Sequence, residues 1–218
     1  MTSGDHQHRH DESDAPLAPS PETIGWEAWY ASQGQIWSGR PNGALVAEVG
    51  AEQPGTALDV GCGEGGDAVW LASRGWEVTA VDVAAAALER GREAARAAGV
   101  TVRWLMADLT EGPELGTFDL VSLQYPALRH TPGDDAIRSL LGAVAPGGTL
   151  LATWHATMTA EHARERGFEL EDYVQHDDLL THLDDAWTLE VDETRPRPHR
   201  PEGSHHADDI VLRARRRG

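Results

Sequence analysis

Lysine is absent from this 218-residue chain. With it go the reactions that need a side-chain amine to form a Schiff base, pyridoxal chemistry included. Cysteine is nearly absent too: Cys62 stands alone, which excludes a disulfide within the chain and points to a reducing, cytoplasmic setting. No apolar run approaches the roughly 18 residues of a membrane-spanning helix. The stretch MTSGDHQHRHDESD lacks the charged-then-apolar layout of a signal peptide. Positive charge is scarce, since 18 arginines face 36 acidic residues and leave a formal charge of −18. Such a field repels phosphate, so neither nucleic acid nor an anionic membrane is expected as a partner.

What the chain does have is order in the placing of its elements. Residues 1–21 are polar and aperiodic and read as a disordered tail, in which His6, His8 and His10 are solvated rather than metal-binding. Residues 22–50 are rich in aromatics and form a cap of two short helices around a loop. A single domain then fills 51–218. Strands are expected at 56–60, 77–82, 101–108, 118–124, 149–155, 187–193 and 208–215, with helices at 67–75, 84–99, 135–148 and 170–183. Strands alternating with helices of this length call for right-handed crossovers and a parallel sheet. The expected fold is therefore α/β: a doubly wound, mostly parallel, seven-stranded sheet whose last two strands make a hairpin.

The chemistry centres on LDVGCGEGG, residues 58–66. Gly61, Gly63 and Gly66 fit the dinucleotide fingerprint G-x-G-x-x-G, with Asp82 at about the right distance beyond it. Asp59, Gly61, Gly63 and Gly65 equally fit D-x-G-x-G-x-G. Asp59 discriminates between them. A carboxylate two positions before the first glycine would repel a pyrophosphate, whereas a cationic sulfonium and ammonium would be attracted. Two other readings stay open: an NAD-dependent oxidoreductase, and a binding module that holds the cofactor without turnover.

In order and spacing, LDVGCGEGG, TAVDV, MADL, FDLVSLQ and APGGTLL resemble the class I S-adenosylmethionine-dependent methyltransferases, over about residues 35–155. The resemblance implies the Rossmann-like fold of that family and S-adenosylmethionine as cofactor. Asp59, Gly61, Cys62 and Gly63 then form its glycine loop. Asp82, followed by Val83, holds the ribose hydroxyls. Asp108 accepts from the adenine amine with the backbone of Leu109 nearby, and Gln124 closes the far side. The segment WEAWY…QIWSGRPN resembles the small-molecule enzymes of the tellurite-resistance and thiopurine type. That makes Trp37 and Arg40 cofactor neighbours, with Arg40 suited to pair with a carboxylate bidentately. Trp26, Trp29 and Tyr30 become lid residues.

The methyl acceptor is expected to be a small molecule. Ligands of a doubly wound sheet sit beyond the carboxyl ends of its strands. There the chain places Gln124, Tyr125, His130 and His155, while His205 and His206 precede the last strand. A histidine suits proton removal near neutral pH. His155 is the first choice, His130 the second, with Tyr125 beside them. QYPALRH lacks the N/D-P-P-Y/F signature of methylases acting on bases or amides, and no resident metal is expected.

Overall fold

The protein is described by a computed structural model over residues 25–197 and 207–218. The tail with His6, His8 and His10, and the pair His205 and His206, lie outside the described residues.

Seven strands form one sheet in the order β3-β2-β1-β4-β5-β7-β6. They are β1 Thr56–Val60, β2 Glu77–Asp82, β3 Arg103–Met106, β4 Phe118–Gln124, β5 Val144–His155, β6 Trp187–Pro196 and β7 Asp208–Arg216. The first five run parallel, and β7 enters antiparallel to both β5 and β6. The helices are α1 Trp26–Ser32, α2 Gly43–Val49, α3 Gly66–Ser73, α4 Ala85–Ala98, α5 Asp135–Gly142, α6 Ala160–Glu165 and α7 His176–His182. The near-continuous apolar runs of β1, β2 and β4 are buried on both faces, as a covered parallel sheet requires. One core lies under α5 and α7, the other under α2 and α3. The chain reverses its winding between β1 and β4. Their adjacent carboxyl ends open the crevice in which such sheets hold ligands.

The helix Ala160–Glu165 is not among those expected, and two expected helices differ in extent. The helix expected over 135–148 stops at Gly142, and Ala-Pro-Gly-Gly belongs to the start of β5. Pro146 disfavours helical backbone at Ala145. Gly147 takes φ +80°, and any Cβ on Gly148 would lie 2.8 Å from the Phe118 carbonyl. The helix expected over 170–183 is split into a single 3₁₀ turn and α7. Between them Tyr173 and Val174 are buried and extended. The Val174 N–H donates to the Leu128 carbonyl at 2.8 Å, and Tyr173 bridges to Arg129. Pairing with the loop after β4 wins over helical continuity there.

Close approach of α3 and α4 rests on Gly65 and Gly91. The Trp104 ring from β3 wedges between them, 2.4 and 2.5 Å from where a Cβ would stand on each. Gly91→Ala should gain about 1 kcal/mol of helix propensity but lose about 2 kcal/mol to overpacking against the indole. A net fall in stability, read as a lower urea midpoint, is the expected outcome; a rise would mean that Trp104 is free to move aside.

Candidate active site

The loop between β1 and α3 is built for close approach. Gly61, Gly63 and Gly65 all have φ between +51° and +79°, a region that costs other residues energy. Asp82, at the end of β2, folds the loop down: one carboxylate oxygen accepts from the Gly63 N–H at 2.8 Å, the other from the Ala84 N–H at 2.9 Å. Each oxygen keeps a lone pair for a further donor. Asp82 thus also caps α4, whose N-cap residue Ala84 has no side-chain acceptor.

Asp59 is buried at the end of β1, and its Oδ2 has no hydrogen-bond partner among the described residues. Burial raises its pKa well above the usual carboxylate range, and the charges of Asp67 and Asp82 raise it further. Burial also raises Asp67 and Asp82, against the pull of the backbone and side-chain N–H groups they accept from. No arginine pairs with any of the three among the described residues. At the end of β4, Gln124 donates to Ser122 Oγ at 3.1 Å while its own Oε1 is buried without a partner. Buried acceptors left unpaired are costly. Three carboxylates and an orphaned amide oxygen around one crevice fit a ligand that brings donors and positive charge.

The remaining sequence-named residues frame this crevice. Val83 is exposed beyond β2. Asp108 is exposed, and its Oδ1 accepts from the N–H and hydroxyl of Thr110. The Leu109 side chain is buried in the core. Cys62 is half-buried; desolvation and the Asp59 and Asp82 charges push its thiol pKa up, so it stays protonated. Trp37 is 51% exposed, donates its indole N–H to the Tyr30 hydroxyl at 2.9 Å and lies 3.4 Å from where Gly63 would carry a Cβ. Arg40 is exposed, and its backbone carbonyl lies against the loop at Gly66.

On the acceptor side, Tyr125 and His155 come together and His130 does not join them. The Tyr125 and His155 rings stack at 4.2 Å with an interplanar angle of 22°. Tyr125 takes φ +50°, a conformation uncommon for a bulky residue, directly after β4. Its hydroxyl donates to Asp209 Oδ2 at 2.8 Å, and burial together with the Asp209 charge raises its pKa. Tyr125 is therefore a fixed donor rather than a proton acceptor. His130 is tied to α7 instead, with its Nε2 3.2 Å from Asp178 Oδ2.

Four residues escaped the sequence reading. Glu64, inside the glycine loop, is 6% exposed. It accepts from the backbone N–H groups of Ile36 and Trp37 at 2.8–3.1 Å and from Arg90 Nη1 at 2.8 Å. Arg90 on α4 also donates to the Tyr30 and Gln33 carbonyls that end α1, both at 2.6 Å. Asp209 and Arg197 belong to the last hairpin, with Arg197 4.9 Å above the Tyr125 ring. None of these contacts carries a local signal, because the partners lie 26 to 84 residues apart. Glu64→Ala should cost about 2–3 kcal/mol, since it strands two N–H groups and a half-buried guanidinium. Faster hydrogen exchange at Ile36 and Trp37 should accompany the loss. Unchanged exchange would mean that the cap is held by other contacts.

A family described as "Methyltransferase domain" matches residues 57–148. An uncharacterised methyltransferase of Mycobacterium tuberculosis is 44% identical over 103 residues, 46% of this chain and 50% of that protein. The chain thus spans about half the length of these curated mycobacterial relatives. Among solved structures, a protein studied for the conversion of a disulfide bond into a thioacetal group during echinomycin biosynthesis superposes with a TM-score of 0.68 at 23% identity, over 91% of this chain and 92% of that one. TehB from Haemophilus influenzae gives 0.64 at 13% identity, over 88% and 67%. These last two likenesses bear on the fold alone. Residues 57–148 thus match a methyltransferase domain, and the chain shares the fold of these solved structures.

Proposed function

We propose that the chain transfers a methyl group from S-adenosylmethionine to a small-molecule acceptor in the crevice beyond β1, β4 and β5. The observation that carries this reading is the buried Asp59 among like charges, with its Oδ2 left without a partner among the described residues, which suits a cationic ligand and would repel a pyrophosphate. When bound, the cofactor supplies an electrophilic methyl carbon on a positively charged sulfur. Asp59 and Gln124 would hold its donor groups at the strand ends. Asp82, already fixed by two N–H groups, would accept from both ribose hydroxyls, with Val83 against the base. Asp108 and the Leu109 backbone would meet the adenine edge. Arg40, unpaired among the described residues, would bind the carboxylate, and Trp37 would cover the loop formed by Gly61, Cys62 and Gly63.

Methyl transfer needs alignment, exclusion of water and, for a protonated acceptor, a base. His155 is the residue assigned to that proton. A small acceptor is favoured by the net charge of −18, which opposes nucleic-acid binding.

Asp82→Ala should weaken binding of S-adenosylhomocysteine by about 2–3 kcal/mol in calorimetry, as loss of a charged hydrogen-bond acceptor does. NAD should bind neither protein, and saturable NAD binding would sink the reading. Affinity should also depend on pH. The carboxylates of Asp59, Asp67 and Asp82 have raised pKa values in the free protein, and a cationic ligand requires them ionised. Binding of S-adenosylmethionine should therefore release protons and weaken as pH falls through the raised pKa of Asp59, well above the usual carboxylate value of about 4. A pH-independent affinity between 5 and 7.5, without proton release, would show that these carboxylates do not face the cofactor.

A further inference from the structure

The antiparallel pairing of β7 with β5 sets Asp209 directly across from His155. Asp209 is 2% exposed. Its Oδ2 accepts from the Tyr125 hydroxyl, while its Oδ1 lies 3.9 Å from His155 Nδ1 and 3.4 Å from Arg197 Nε. Arg197, from the end of β6, also covers the Tyr125 ring whose other contact is the stacked imidazole. Strained Tyr125 backbone, phenol, carboxylate, guanidinium and imidazole thus form one packed group drawn from the ends of four strands.

We propose that Asp209 is the positioning residue for a proton-accepting His155, and that Arg197 sets the strength of this dyad by competing with the imidazole for the same Asp209 oxygen. This rests on the methyltransferase reading above. A carboxylate facing Nδ1 favours the tautomer with its proton there and leaves the lone pair on Nε2. The resting separation of 3.9 Å is too long for a hydrogen bond and within ion-pair range, so the attraction becomes strong only when the imidazole gains a proton. In the transfer, the lone pair of an O–H, N–H or S–H acceptor forms the new bond to carbon. The carbon–sulfur bond breaks with its electrons left on sulfur, and the acceptor's proton passes to His155 Nε2. Positive charge therefore leaves sulfur and arrives on an imidazolium beside Asp209. Tyr125 keeps the carboxylate and the ring in place without ionising. Asp208 and Arg195, whose charges also act on Asp209, complete the charged groups of β6 and β7 around it.

The test is an NMR titration of the His155 ring in the full chain, paired with turnover. Asp209→Asn keeps an acceptor for Tyr125 and should lower the His155 midpoint by about one pH unit. It should also reduce kcat about 10- to 100-fold and shift the acidic limb of the pH–rate profile down, with S-adenosylhomocysteine affinity unchanged. Arg197→Gln should move the midpoint up, and this arm stands even if Asp209→Asn does not fold. A midpoint unmoved by both substitutions overturns the dyad. Shifted midpoints in a protein that binds S-adenosylhomocysteine yet methylates nothing in a phenol, thiol and amine panel would uphold the electrostatic pair and overturn the transferase role on which its catalytic meaning rests.

Discussion

The Glu64 carboxylate is the point on which the cap, the glycine loop and α4 converge. A side chain in the middle of a loop that must stay open for a ligand is turned inward. There it takes up the backbone donors of residues 36 and 37 and the guanidinium of Arg90. Burying a carboxylate is costly unless every lone pair is used, and here three donors meet it. Arg90 in turn satisfies the last carbonyls of α1. A second carboxylate repeats the device one turn along: Asp67, in the first turn of α3, accepts from the backbone and side-chain N–H groups of Asn42 at 2.6 and 2.7 Å. The cap is therefore not a loose flap over a finished domain. It is fastened to the same loop that shapes the crevice, and ordering either one orders the other.

How much of this could be read from residues alone varies with distance along the chain. The sheet, the winding and the glycine loop were legible because their signals are local: an apolar run, a glycine needing positive φ, an acidic residue ending a strand. The hairpin of β6 and β7 was legible for the same reason. The extent of α5 was misjudged because alternating apolar residues in SLLGAVAPGG suit either state, and Pro146 and Gly147 decide for the strand. The split of α7 turned on Tyr173 and Val174 pairing with a loop some 45 residues earlier, which no window of sequence reveals. Glu64 is the instructive omission, since it sits inside the most informative nine residues of the chain. Its role depends on Arg90, which on its own reads as one more charge on the exposed face of an amphipathic helix.

The two ends of the crevice are held by different physics. Around Asp59, Asp67 and Asp82 like charges accumulate without a compensating arginine, and burial raises all three. Around Asp209 burial raises the carboxylate as well, but the Tyr125 hydroxyl donating to it and the Arg197 charge beside it oppose that rise. One end is short of positive charge and the other is internally balanced. A cationic ligand gains most at the first, whereas the second is arranged to receive a proton.

The antiparallel hairpin that ends the sheet has a consequence for how such a protein diversifies. Strands β6 and β7 are bolted to α2 by Arg195 and Arg213, which pair with Glu48, and Arg213 reaches Glu52 and Glu190 as well. Arg197 and Asp209 sit at the hairpin's free end, Asp209 directly across from Arg195. Substitution at that end can alter the group facing His155 while the anchored half and the parallel strands keep their register. Descendants of one ancestral chain can in this way inherit an unchanged donor half and explore new acceptors through a few residues of the terminal hairpin.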